Sequence, residues 1–177
     1  MTKKRKIVVA TSGASGVNLG LKTLELLPDT IEKHFIMSKN SQIVLTKEMQ
    51  NFTTHKNEDI SASIASGSFG VDAMIIAPCS MNTLAKIACG ISDNLVTRTA
   101  AVIIKEQKKL ILAPREMPFS AIALENMLKL SRLGIIIAPP VMAYYSEQQI
   151  LDEMENFIIG KWFDLLEIEN NLYKRWE

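Results

Sequence analysis

Residues 7–20, IVVATSGASGVNLG, limit what this chain can become more than any other stretch. A short β-branched run leads into Ser12-Gly13-Ala14-Ser15-Gly16, and apolar residues resume at helical spacing from Val17. Buried parallel strands read as such runs, and a glycine loop that opens into a helix gathers backbone N–H groups at the positive helix end. That arrangement suits a phosphate. Gly13 and Gly16 can take positive φ or admit a ligand close to the backbone, and Ser12 and Ser15 add hydroxyls. An ordinary strand-to-helix turn capped by serine shares this composition, so the remaining chain has to decide.

The pattern repeats along the chain. Helical spacing over residues 17–27 stops at Pro28, and residues 34–37 read as a second strand that ends at Ser38. Residues 41–48 can be helical, and the polar, aperiodic stretch 49–63 reads as a long loop. His34 reads as a strand residue that nothing nearby in sequence orients, and His55 as a solvated side chain. A third strand at 73–77 runs into Pro78-Cys79-Ser80-Met81-Asn82-Thr83, a second junction rich in hydroxyl, amide and backbone donors. A helix over 93–107 places Arg98 and Lys105 on one face. The strand at 109–113 meets Pro114-Arg115-Glu116-Met117-Pro118, which holds a cation and a carboxylate stiffly at a sheet edge. After a helix capped by Ser120, a strand at 135–138 ends in Pro139-Pro140-Val141-Met142-Ala143-Tyr144-Tyr145. A long helix over 148–166 carries Lys161, and the tail over 167–177, with its terminal Trp176, is expected to dock on this subunit or a neighbour. Strands alternating with helices imply an α/β, Rossmann-like or flavodoxin-like three-layer sandwich with a central parallel sheet, formed by one domain over residues 1–177.

Composition narrows the function classes. A formal net charge of +1 argues against a nucleic-acid binder, whose footprint would be a basic stripe, so any cationic site must be local. No run approaches the roughly 20 apolar residues of a membrane span, and the apolar run behind the basic start is too short for a signal peptide. Cys79 and Cys89 have neither redox nor zinc spacing, and with two histidines a metal centre is not expected. A reduced, cytoplasmic protein is expected. Hydrophobic residues make up 47%, more than one core of this size buries, which points to a homo-oligomer.

The blocks SGASG, IMSK, ASGSF, APCSMNTLAKIACGISDNLVTR, APREMPF and PPVMAYY, in that order, resemble the flavin prenyltransferases of the UbiX type, formerly described as 3-octaprenyl-4-hydroxybenzoate or aromatic-acid decarboxylase subunits. The resemblance spans residues 6–176. It implies metal-independent transfer of a dimethylallyl group from dimethylallyl phosphate to reduced FMN, with the prenylated FMN passed to UbiD-type decarboxylases. It also implies a dodecamer with the active site at a subunit junction. By motif, Gly13, Ala14, Ser15, Ser38, Ser80, Met81, Asn82, Thr83, Arg98 and Arg115 correspond to flavin contacts. Tyr145, Lys161, Lys105 and Arg115 correspond to residues around the dimethylallyl phosphate, while Glu116 and Ser15 match residues that move protons and Glu48 one beside the reacting carbons.

Lys161 stands where many members carry arginine, Thr99 and Ala101 alter a segment that often reads RAAD, and Met142 and Tyr144 replace proline and phenylalanine. Two rivals are weighed. A flavin-dependent cysteine decarboxylase would need a motif histidine and a PASANT-like segment, where this chain has PCSMNT. A flavodoxin-like electron carrier would need the flavin loop but not Lys105, Glu116, Tyr145 and Lys161 around an anion.

Overall fold

The computed structural model describes residues 4–13, 15–37 and 51–176. Its centre is a six-stranded sheet in the order β3-β2-β1-β4-β5-β6, with every pairing parallel. The strands are β1 (Lys6–Ala10), β2 (Glu32–Met37), β3 (Thr53–Lys56), β4 (Ala73–Cys79), β5 (Lys109–Pro114) and β6 (Ile136–Ile137). Apolar residues fill both faces of β1 and β4, as burial on two sides requires.

One face packs Ile7, Val9, Ile75 and Ile111 against α1 (Val17–Leu26) and α5 (Leu151–Leu165), whose Trp162 is buried and donates its indole N–H to the Ala138 carbonyl at 3.0 Å. The other packs Val8, Met74, Ile76 and Leu112 against α2 (Met81–Ala88), α3 (Leu95–Lys105) and α4 (Ala121–Arg132). This is the three-layer Rossmann-like sandwich that the alternating pattern implies, and its strand order reverses between β1 and β4.

The stretch 49–63 differs from its expected loop, since β3 lies within it and adds an edge strand beside β2. TTHK is polar and mostly exposed, so an edge strand of this kind leaves no apolar alternation to read. His55 departs from expectation for the same reason. It stacks on the buried His34 with centroids 5.4 Å apart, and His34 Nδ1 meets His55 Nε2 at 3.1 Å while His34 Nε2 meets Glu32 at 3.0 Å.

Burial first, and for His55 the neighbouring His34 second, hold both imidazoles below the ordinary 6.5; for His34 the Glu32 carboxylate partly opposes the burial. A base with a lowered folded-state pKa takes its proton first in the unfolded chain, so its stabilisation is complete above about 6.5 and is lost as pH falls through that value toward the folded pKa. Denaturant unfolding is therefore expected to show stability declining below pH 6.5, with a shallower decline in His55→Gln; parallel pH profiles for the two proteins would contradict this account.

Candidate functional site

The carboxyl edge of the sheet gathers the loops that follow β1, β4, β5 and β6, and the first two flank the strand-order reversal, where ligands enter sheets of this kind. Ser12 joins these two loops. Its backbone N–H donates to the Pro78 carbonyl at 2.9 Å, and its Oγ accepts from the Ser80 N–H at 3.0 Å. Ser80 caps α2 by accepting from the Thr83 N–H at 3.2 Å, which buries Thr83 and leaves Asn82 exposed with Met81 half-buried.

Gly13 and Gly16 take φ of 103° and 84°, in the left-handed region that side chains avoid. A Cβ at Gly13 would lie 3.7 Å from the Ser80 Cβ, and one at Gly16 3.4 Å from the Arg115 Cδ, so bare glycines keep open the space between three loops. The serine-capped turn that the sequence left open as an alternative does not form at α1. Gly16 itself caps α1 with no side-chain hydrogen bond, which leaves first-turn N–H groups for a ligand.

Arg115 draws the third loop onto the first by donating from Nε to the Ser15 carbonyl at 3.3 Å. Arg115 and Glu116, with Met117, Phe119 and the facing Pro140, line a hollow of about 590 Å³. A second hollow of about 650 Å³ lies between the post-β6 loop and α5, walled by Met142, Phe157 and Trp162, with Tyr145 and Lys161 on its lining. Pro139 and Val141 border both hollows. The geometry offers a backbone-lined anion cradle, then a cation and carboxylate, then an apolar chamber with a phenol and an ammonium.

Lys105 is not brought to this edge. It ends α3 in an ion pair with Glu106 at 3.0 Å, and Glu106 lies against Gly67, two residues before the Phe69 carbonyl that holds Lys6 at the start of β1. The length of β5, about 20 Å at the rise of a parallel strand, separates it from Arg115. Arg98 shares the α3 face with Lys105 but stands exposed near the opposite end, where the Leu95 and Val96 N–H groups are held by Asn57 at 2.8 and 3.0 Å. Ala14, Ser38 and Glu48 lie outside the described residues. No group of three or more His, Cys, Asp or Glu able to hold a metal occurs among the described residues.

Sequence reasoning missed the structural work of Ser12 and of Gly20, which lies against the Ala77 carbonyl and Thr11; the Gly13, Gly16, Gly20 spacing was the available signal. It also missed a cluster of Asp164, Asn170, Tyr173 and Arg175, which no spacing rule connects.

A family profile described as Flavoprotein matches residues 1–161. The flavin prenyltransferase UbiX of Campylobacter jejuni is 50% identical over 184 aligned positions, covering 97% of this chain and 98% of that protein. The crystal structure of AnUbiX in complex with FMN and dimethylallyl pyrophosphate superimposes with a TM-score of 0.89 at 37% identity, covering 99% of this chain and 98% of that one. A dodecameric FMN-dependent UbiX-like decarboxylase from Escherichia coli O157:H7 gives a TM-score of 0.87 at 39% identity, covering 97% and 99%.

Proposed function

The chain belongs to the UbiX family of flavin prenyltransferases, and from that premise we propose that it moves a dimethylallyl group from dimethylallyl phosphate to reduced FMN at the carboxyl edge of its sheet. The observation that carries the assignment of residues is the junction of the two hollows at Pro139 and Val141, which sets Arg115 and Glu116 beside the chamber bearing Tyr145 and Lys161.

The residues present fit FMN. The open space over Gly13 and Gly16 and the uncapped start of α1 suit its phosphate, with Ser15 and the Ser80–Thr83 turn alongside. When bound, reduced FMN supplies the nucleophilic ring that accepts the allylic carbon. Arg115, Lys161 and the Tyr145 hydroxyl bind the phosphate of the donor and neutralise the charge that grows as it leaves, without calling on a metal. The apolar chamber excludes water from the cation-like allylic fragment. Glu116 takes the proton released on ring closure, with Ser15 beside its loop as relay.

Lys105 joins this site from a second copy of the chain. Support comes from its place at the far edge of its own sheet and from exposed apolar residues around the hollows, with Met117 at 91%, Val141 at 65% and Tyr144 at 88% exposure. Arg98 lies on the same α3 face and contributes likewise. A dodecamer, a single flavoprotein domain, delivery of prenylated FMN to a UbiD-type decarboxylase and residence in the cytoplasm complete the assignment. No helix among the described residues is long and apolar enough to cross a membrane, and the exposed free thiol of Cys89 suits a reducing compartment.

Phosphate release is the direct test. With dimethylallyl phosphate, release is expected only when reduced FMN is also present; release that ignores the flavin, or none at all with both present, would contradict transfer. Glu116→Gln is expected to slow turnover by about 10²-fold, the usual loss of a positioned base, while FMN binding holds. A Glu116→Gln enzyme with the parent rate would remove Glu116 from the proton path.

A further inference from the structure

The segment after α5 has no part in the chemistry so far, yet it packs beside the phosphate residues. Phe157 and Lys161, and likewise Gly160 and Asp164, lie four residues apart along α5, with Phe157–Gly160 and Lys161–Asp164 three apart, so the four share a face. Residues 170–176 fold back onto it. The Tyr173 ring meets Phe157 edge-on with centroids 5.0 Å apart, and its hydroxyl donates to Asp164 Oδ2 at 2.5 Å. Arg175 closes on the same carboxylate, from Nη2 to Oδ1 at 2.8 Å and from Nη1 to Oδ2 at 3.1 Å, and Asn170 donates to Oδ1 at 2.9 Å. Trp176 meets the Tyr145 ring edge-on at 5.4 Å.

Gly160 shows that the helix is shaped for this contact. A Cβ there would fall 2.5 and 2.9 Å from Tyr173 ring carbons, which accounts for a glycine in a helix interior where alanine is otherwise preferred. Lys161 has no carboxylate partner among the described residues, although Asp164 is its neighbour one turn on; its ammonium lies 5.8 Å from the Tyr173 ring centroid. The carboxylate that would capture it is filled by the tail. Burial raises the Asp164 pKa, but the hydrogen bonds from Arg175, Tyr173 and Asn170 outweigh it and leave it below the ordinary 3.8, so the clamp is charged at neutral pH.

We propose that residues 170–176 are a strap that prepares the phosphate side of the site, with Arg175 holding Asp164 away from Lys161 and Trp176 steadying the Tyr145 ring. Arg175 and Tyr173 are positioning residues, and their role rests on the assignment of Tyr145 and Lys161 to the dimethylallyl phosphate.

Steady-state kinetics on the full chain, with dimethylallyl phosphate varied at saturating reduced FMN, tests this. Arg175→Ala is expected to raise KM for dimethylallyl phosphate about tenfold, the effect of one uncompensated carboxylate on a nearby anion site, with FMN affinity unchanged. Adding Asp164→Asn to Arg175→Ala is expected to recover most of that loss, because no charge is left to capture Lys161. A tail with a merely structural role would be weakened further by the second change. Gly160→Ala, which displaces Tyr173 without altering any charge, should raise KM in the same direction. An Arg175→Ala enzyme with parental KM, or a double variant no better than the single one, would overturn the strap. Lys161→Ala separates the two layers. If it raises KM while Arg175→Ala does not, only the strap falls; if it leaves KM unchanged, the phosphate assignment falls and the strap with it.

Discussion

Arg115→Ala is expected to lower kcat by about 10²–10³-fold, the range for removing a preorganised donor from a site where negative charge develops. Two consequences of one side chain combine in this effect. The guanidinium leaves the border of the hollow it shares with Glu116, and the Nε bond to the Ser15 carbonyl at 3.3 Å, which ties the post-β5 loop to the glycine loop, is lost. Arg115 is exposed between Pro114 and Pro118, so folding stability should change by no more than about 0.5 kcal/mol. Arg115→Lys restores charge but not the planar fork, and its rate should fall between the two. Steady-state kinetics with reduced FMN and dimethylallyl phosphate, beside a denaturation curve, separates a chemical from a folding defect; an Arg115→Ala enzyme at the parental rate would remove this residue from the mechanism.

Gly20→Ala is expected to destabilise the fold by about 3 kcal/mol, at the upper end for overpacking a close contact. A Cβ at Gly20 would run into the Ala77 carbonyl oxygen and lie 2.7 Å from the Thr11 Cγ2. One neighbour is the backbone of a central strand and the other a side chain at the end of β1, so neither can swing aside as a surface side chain would. The gain of about 1 kcal/mol from replacing a helical glycine offsets only part of this. Because α1 would be levered off β4 where the crevice opens, FMN affinity should fall with stability. Urea unfolding of the two proteins measures the difference, and equal midpoints would show that α1 does not need this close approach.

The alternation of apolar runs with helical spacing was enough to place β1, β4, β5, α1, α2 and α3, because these elements are buried and burial leaves periodicity in the sequence, while the helix expected over 41–48 lies outside the described residues. β3 left no such mark, since an edge strand of threonine, histidine and lysine hides almost nothing. The cradle was legible at Gly13 and Gly16, where backbone conformation restricts the residue type. Lys105 was legible as a cation but not as a location, because spacing along α3 fixes a face and not the sheet edge that each end reaches. The embrace of Asp164 by Tyr173 and Arg175 depends on a tail turning back over its own helix, which neither propensity nor periodicity encodes.

The most direct test of the central claim is the mass of the flavin released after anaerobic incubation of the purified protein with reduced FMN and dimethylallyl phosphate. A gain of one dimethylallyl unit is the predicted result. FMN recovered unmodified from a protein shown to bind it, with the diphosphate donor tried as well, would contradict prenyl transfer by this chain.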